Sequence, residues 1–114
     1  MANIYKVIPI LISVSSTRDI YEVPAATTSI IRSISVYNTD ASAMNVTLSV
    51  YDTSATTRYT YDYKAALAAT TKFEFLNSSN SILLVLEETD KLQVTCSTTG
   101  GLNLIVSALE ISRA

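Results

Sequence analysis

The chain has 114 residues, of which 48% are hydrophobic and only 16% charged, with a formal net charge of −2. That length suits one domain built on one core, and the charge content is well below the ~25% usual in soluble domains. Nucleic-acid binding through phosphates needs a basic face that is missing here; the absence of histidine removes the commonest general base and metal ligand; and the single cysteine, Cys96, excludes an internal disulfide.

No stretch approaches the ~18 consecutive apolar residues of a membrane-spanning helix. A surface so poor in charge is weakly protected against association, which favours a protein that works inside an assembly.

Residues 4–14 form an extended apolar run. Lys6 ahead of apolar residues 7–14 gives a faint likeness to a signal peptide, but the run is short, contains Pro9 and lacks an A-x-A-like site. We read residues 1–19 as an N-terminal arm or strand and 20–114 as the folded domain. Pro9 cannot donate to a ladder, so this strand belongs at an edge or breaks in two. Residues 19–23 make a short strand, closed by the turn Pro24-Ala25-Ala26.

Two long runs follow, residues 28–38 and 44–52, around a small polar turn at 39–43. In the second, Met44, Val46, Leu48 and Val50 alternate with Asn45, Thr47, Ser49 and Tyr51, the period of a half-buried strand. The pair reads as a central antiparallel hairpin. Residues 58–64 alternate strictly, with Tyr59, Tyr61 and Tyr63 on one face and Arg58, Thr60, Asp62 and Lys64 on the other. Residues 65–69 read as a connector, and 71–76 as a strand with Phe73 and Phe75 on one side.

After the turn cluster 77–80, residues 82–86 are continuously apolar, so a strand covered on both faces is expected. The acidic turn Glu87-Glu88-Thr89-Asp90 leads into 91–97, where Leu92, Val94 and Cys96 face inward. The two glycines, Gly100 and Gly101, point to a tight hairpin with positive φ before a last strand, 102–111. Eight or nine short strands and no convincing helix define an all-β chain: one antiparallel β-sandwich, jelly-roll-like, with an immunoglobulin-like topology also open.

No catalytic apparatus is visible, and no cofactor or metal site is expected. Glu87, Glu88 and Asp90 match no calcium loop, and Cys96 has no histidine to activate it. The tyrosine row admits three readings: half-core packing, a protein contact face, or a sugar platform, the last weakened by the absence of tryptophan. The candidate contact residues are Ile4, Tyr5, Val7, Ile10 and Ile12 on the arm, with Tyr59, Tyr61 and Tyr63.

The elements Tyr21, Val23, Pro24 and Ala25, then Asn38-Thr39, then Leu86, Asp90, Leu92, Val94, Gly100 and Gly101 resemble a pattern in small β-sandwich structural proteins of tailed-bacteriophage virions. The resemblance spans residues 21–111. It implies a capsid decoration (cement) protein that binds between major capsid subunits and stabilises the head, commonly as a trimer on local threefold axes. A tail, neck or fibre component is the alternative, and a carbohydrate-binding adhesion module the rival from another class. The resemblance implies a location on the capsid surface of the virion after synthesis in the host cytoplasm, with the major capsid protein or other virion proteins as partners; the lack of a basic face and of a long apolar run points to neither nucleic acid nor membrane.

Overall fold

The computed structural model describes residues 3–12, 17–76, 84–97 and 101–112. Among these there are nine strands and no helix. They are β1 (Asn3–Ile12), β2 (Arg18–Glu22), β3 (Thr27–Asn38), β4 (Met44–Asp52), β5 (Thr57–Leu67), β6 (Lys72–Leu76), β7 (Leu84–Leu86), β8 (Lys91–Cys96) and β9 (Leu102–Ser112). They form two antiparallel sheets packed as a sandwich. One runs β1-β9-β3-β6, with β7 also on β3, and the other β2-β8-β4-β5.

The expected hairpins at 39–43 and 98–101 do not form. β3 and β4 lie in different sheets, as do β8 and β9, so both connections cross from one layer to the other. Alternation reports only which face a residue occupies, and a strand whose inner face meets the opposite sheet alternates just as a hairpin strand does. Repeated crossing gives the strand order of a jelly roll, with β7 as an extra short strand, and sets aside the immunoglobulin-like topology. Among the described strands, only β4–β5 is a hairpin between neighbours in sequence, over the loop 53–56.

Ile31, Ile34, Val36, Leu104 and Val106 from the first sheet meet Met44, Val46, Leu48, Leu92, Val94 and Cys96 from the second, all buried. Buried side chains of this size each contribute about 1.5–3 kcal/mol. One end of the interior is polar. Tyr21 reaches across from β2 to donate to Glu110 on β9, and the Ser29 hydroxyl lies 2.7 Å from the Tyr21 oxygen. Lys6 Nζ closes the group at 3.3 Å from Glu110 Oε1.

Gly101 has no positive φ, unlike the expectation; Gly100 lies outside the described residues. Its reason is space. A Cβ on Gly101 would stand 2.1 Å from Thr39 Oγ1, and Thr39 N donates to Gly101 O at 3.0 Å. Left-handed backbone falls instead on Ala26, Thr56, Ala66, Thr70 and Thr89, each in a turn or at a strand irregularity.

Candidate assembly surfaces

The register of β1, β9, β3 and β7 decides what the first sheet presents outward. Directly opposed residues in an antiparallel pair share a face. Glu110, Ala108, Val106 and Leu104 are buried, so their neighbours Leu109, Ser107 and Ile105 point out. Tyr5 pairs with Leu109, Leu109 with Ile30, and Ile30 with Val85. One row across four strands is therefore entirely apolar. Its ends are open: Tyr5 is 71% exposed and Val85 58%.

Along β1, Tyr5, Val7, Pro9 and Leu11 share this outer face, and Pro9 pairs with half-exposed Ile105. An open hollow of about 330 Å³ lies between β1 and β9, lined by Pro9, Ile10, Leu11, Asn103, Leu104 and Ile105. Scattered exposed apolar side chains are ordinary, but a contiguous patch marks an interaction site. Its corner toward β6 is polar, with Ser33, Ser35 and Glu74 on the same side.

The outer face of the second sheet is the opposite in character. Asp19, Gln93, Ser49 and Thr60 line up across β2, β8, β4 and β5, with Lys91, Tyr51 and Arg58 in the next row. Gln93 Nε2 donates to Asp19 at 2.6 Å, Arg58 Nε donates to Gln93 Oε1 at 2.7 Å, and Lys91 Nζ lies 3.7 Å from Asp19. These groups satisfy one another, so this face is a closed polar lattice over the core.

The arm residues divide. Ile12 is fully buried and holds the sandwich together, while Ile10 is partly buried, packing against the core and also lining the hollow beside Pro9 and Leu11. Ile4, Tyr5 and Val7 are exposed, in the half of β1 where every residue from Asn3 to Val7 is open to solvent. Pro9 does not break the strand. β1 pairs with β9 along its whole length as an edge.

Tyr59, Tyr61 and Tyr63 are all exposed, but they do not share one face. The register shifts between Leu48 and Ser49, so Tyr59 opposes Val50 while Tyr63 opposes Thr47, with Tyr61 at the bulge. Val50 and Thr47 lie on opposite sides of β4, and the tyrosines fan around the edge of the sheet. Asp62 and Lys64 turn to the inner side, and Lys64 Nζ reaches over the Phe73 ring at 5.1 Å. A flat sugar platform needs coplanar rings on one face, which this bulge removes.

Residues 84–86 are not covered on both faces: Val85 belongs to the open apolar row, while residues 82 and 83 lie outside the described part. Sequence reasoning missed this row because Ile30, Leu109 and Val85 come from three distant strands, and only their register aligns them. The acidic turn is spent on its own geometry. The Asp90 carboxylate accepts from Glu87 N at 3.1 Å and Thr53 N at 3.4 Å, and Glu88 accepts from Ala26 N at 2.8 Å. Cys96 is buried, and burial pushes its thiol above the ordinary value.

Two kinds of solved structure resemble this sandwich. A structure from Bacillus endospore appendages, a family of disulfide-linked pili, matches with a TM-score of 0.59 at 9% identity, covering 98% of this chain and 89% of that one. Two structures of a pentameric capsid protein from metagenomic phage sequences match with a TM-score of 0.43 at 14% identity. They cover 93% of this chain, which spans only 61% and 59% of theirs. The appendage likeness shows the fold. No family model matches the chain, and no curated protein matches it.

Proposed function

We propose that this chain is a non-enzymatic structural protein of a bacteriophage virion, a capsid decoration protein that binds as a homo-oligomer, most simply a trimer, between major capsid subunits and stabilises the head. The apolar row Tyr5–Leu109–Ile30–Val85 carries this reading. A protein this poor in charge leaves such a row open only where a partner covers it. Each 100 Å2 of apolar surface so buried contributes about 2.5 kcal/mol before the costs of association, and repetition over a symmetric shell multiplies it.

A subunit of a pilus-like appendage is the second reading, which the appendage fold favours. Cys96 weighs against a disulfide-linked form, because its sulfur is buried in the core and its thiol is held protonated. Counting copies in purified virions from gel density, with gold-labelled antibody to place them, tests the proposal. Hundreds of copies over the head support decoration; tens of copies or fewer at the tail, or none on particles, overturn it.

A further inference from the structure

We infer that the outer half of β1, residues 3–8, is an exchangeable strand. It swings out about Pro9 and pairs with β9 of a second copy, in the register it holds at home. β1 is an edge strand paired with β9 alone, so its departure breaks no other ladder. Cover from the opposite sheet fades along it. Ile12 is fully buried, Ile10 and Ile8 pack partly against the core, and Ile4, which faces the same way, is 48% exposed. Every residue from Asn3 to Val7 is open to solvent, so the β9 ladder and the Lys6–Glu110 ion pair hold this half in place. Segments with so little buried surface are the first to open.

Pro9 sets the boundary. It cannot donate to the ladder, and the open hollow lies beside it, against Asn103 and Ile105. Beyond it, Ile12 is seated in the core and keeps residues 10–12 at home.

A second copy is the occupant because its fit is already visible within one chain. Once residues 3–8 leave, β9 offers residues 106–111 as an open edge, with Glu110 awaiting a lysine. The same six residues of another copy satisfy that edge pair for pair, and their Lys6 meets Glu110. Exchange thus replaces each contact by its equal, and concentration drives it. Each copy gives one half-strand and receives one, so the exchange closes as a reciprocal pair or as a ring.

This exchange rests on reading the chain as an assembling subunit but not on what the assembly binds. If copies exchange and do not bind capsids, the decoration reading fails while the exchange stands. If they decorate capsids without exchanging, the exchange alone fails.

The test is disulfide trapping between full-length chains that each carry one added cysteine. Val7 and Ser107 are directly opposed, and so are Leu11 and Asn103, in the same phase of the ladder but beyond Pro9. Opposed residues of an antiparallel pair stand within disulfide reach, and buried Cys96 takes no part. Under mild oxidation, V7C chains mixed with S107C chains should give at least tenfold more linked heterodimer than L11C chains mixed with N103C chains. The yield should rise with chain concentration. Circular dichroism confirms that each variant folds, and Y5C with L109C, a second opposed pair in the outer half, repeats the test. Equal yields on the two sides of Pro9, or no heterodimer from either outer pair, overturn the inference.

Discussion

Tyr21 of one sheet donates its phenolic proton to Glu110 of the other, and the Ser29 hydroxyl, 2.7 Å from the same phenol oxygen, completes the group. The buried carboxylate is met by Tyr21 from the opposite layer and by Lys6 from its own. Tyr21→Phe keeps the ring and removes the donor. Leaving a buried acceptor short costs about 1–3 kcal/mol. Urea denaturation at neutral pH should show that loss with an unchanged slope.

The same group sets an alkaline limit. Burial and the neighbouring Glu110 carboxylate hold the Tyr21 phenol neutral far above the ordinary tyrosine value of 10.0. In the unfolded chain it ionises near that value, so above it the folded state keeps a proton that the unfolded state has lost. The stability contributed by Tyr21 is complete below about pH 10 and declines as pH rises further. The difference in unfolding free energy between wild type and Tyr21→Phe should shrink steadily above pH 10; a constant difference to pH 11.5 would contradict this.

Asn38 is fully buried where β3 leaves its sheet. Its Nδ2 donates to Ser42 O and Leu67 O, both at 3.0 Å, and to Ala68 O at 3.3 Å, while Oδ1 accepts from Asp40 N at 2.8 Å. One side chain thus pins the crossover to β4 and the end of β5. Asn38→Ala should cost about 2–4 kcal/mol by leaving several backbone groups unpaired, and Asn38→Asp at neutral pH at least as much, since a carboxylate would face carbonyl oxygens. Thermal unfolding of the two variants checks the order.

Gly101→Ala places a methyl group against Thr39 Oγ1. Threonine is stiff at χ1, so the clash is relieved only by an unfavourable rotamer or a backbone shift. The substitution should cost about 1–3 kcal/mol, and less than half of that in a Thr39→Ala background. A double-mutant cycle with no coupling would show that some other contact selects glycine there.

On the outer face of the first sheet, Val85→Lys and Ile105→Lys change exposed side chains and should leave stability within about 0.5 kcal/mol of wild type. Under the decoration proposal, binding to capsids should fall by at least tenfold for Val85→Lys. Co-sedimentation with particles, set beside a thermal melt of the free protein, separates the two effects.

Several positions that carry the virion resemblance turn out to be structural. Tyr21 clamps the sheets, Val23 exchanges backbone bonds with the 89–90 turn, Asn38 pins the crossover, and Thr39 packs against Gly101. Such a pattern specifies the sandwich more strongly than it specifies a partner.

The sequence by itself determined that the chain is all strand, and the inner faces of the central strands. Met44, Val46 and Leu48, or Leu92, Val94 and Cys96, leave a pleated chain on one side, and burying apolar surface requires that side to be the core. It also limited Pro9 to an edge strand or a strand break, and the structure takes the unbroken edge. Tertiary structure decided which strands pair, because alternation is the same whether an inner face meets a neighbour through a hairpin or an opposite sheet through a crossover. It decided the surfaces too. A one-residue bulge at Tyr61 turns a single-faced tyrosine row into a fan around an edge, and the register of β1, β9, β3 and β7 gathers Tyr5, Leu109, Ile30 and Val85 from distant segments into one row. Register is a long-range property, set by the packing of the two sheets, and no local window of sequence contains it.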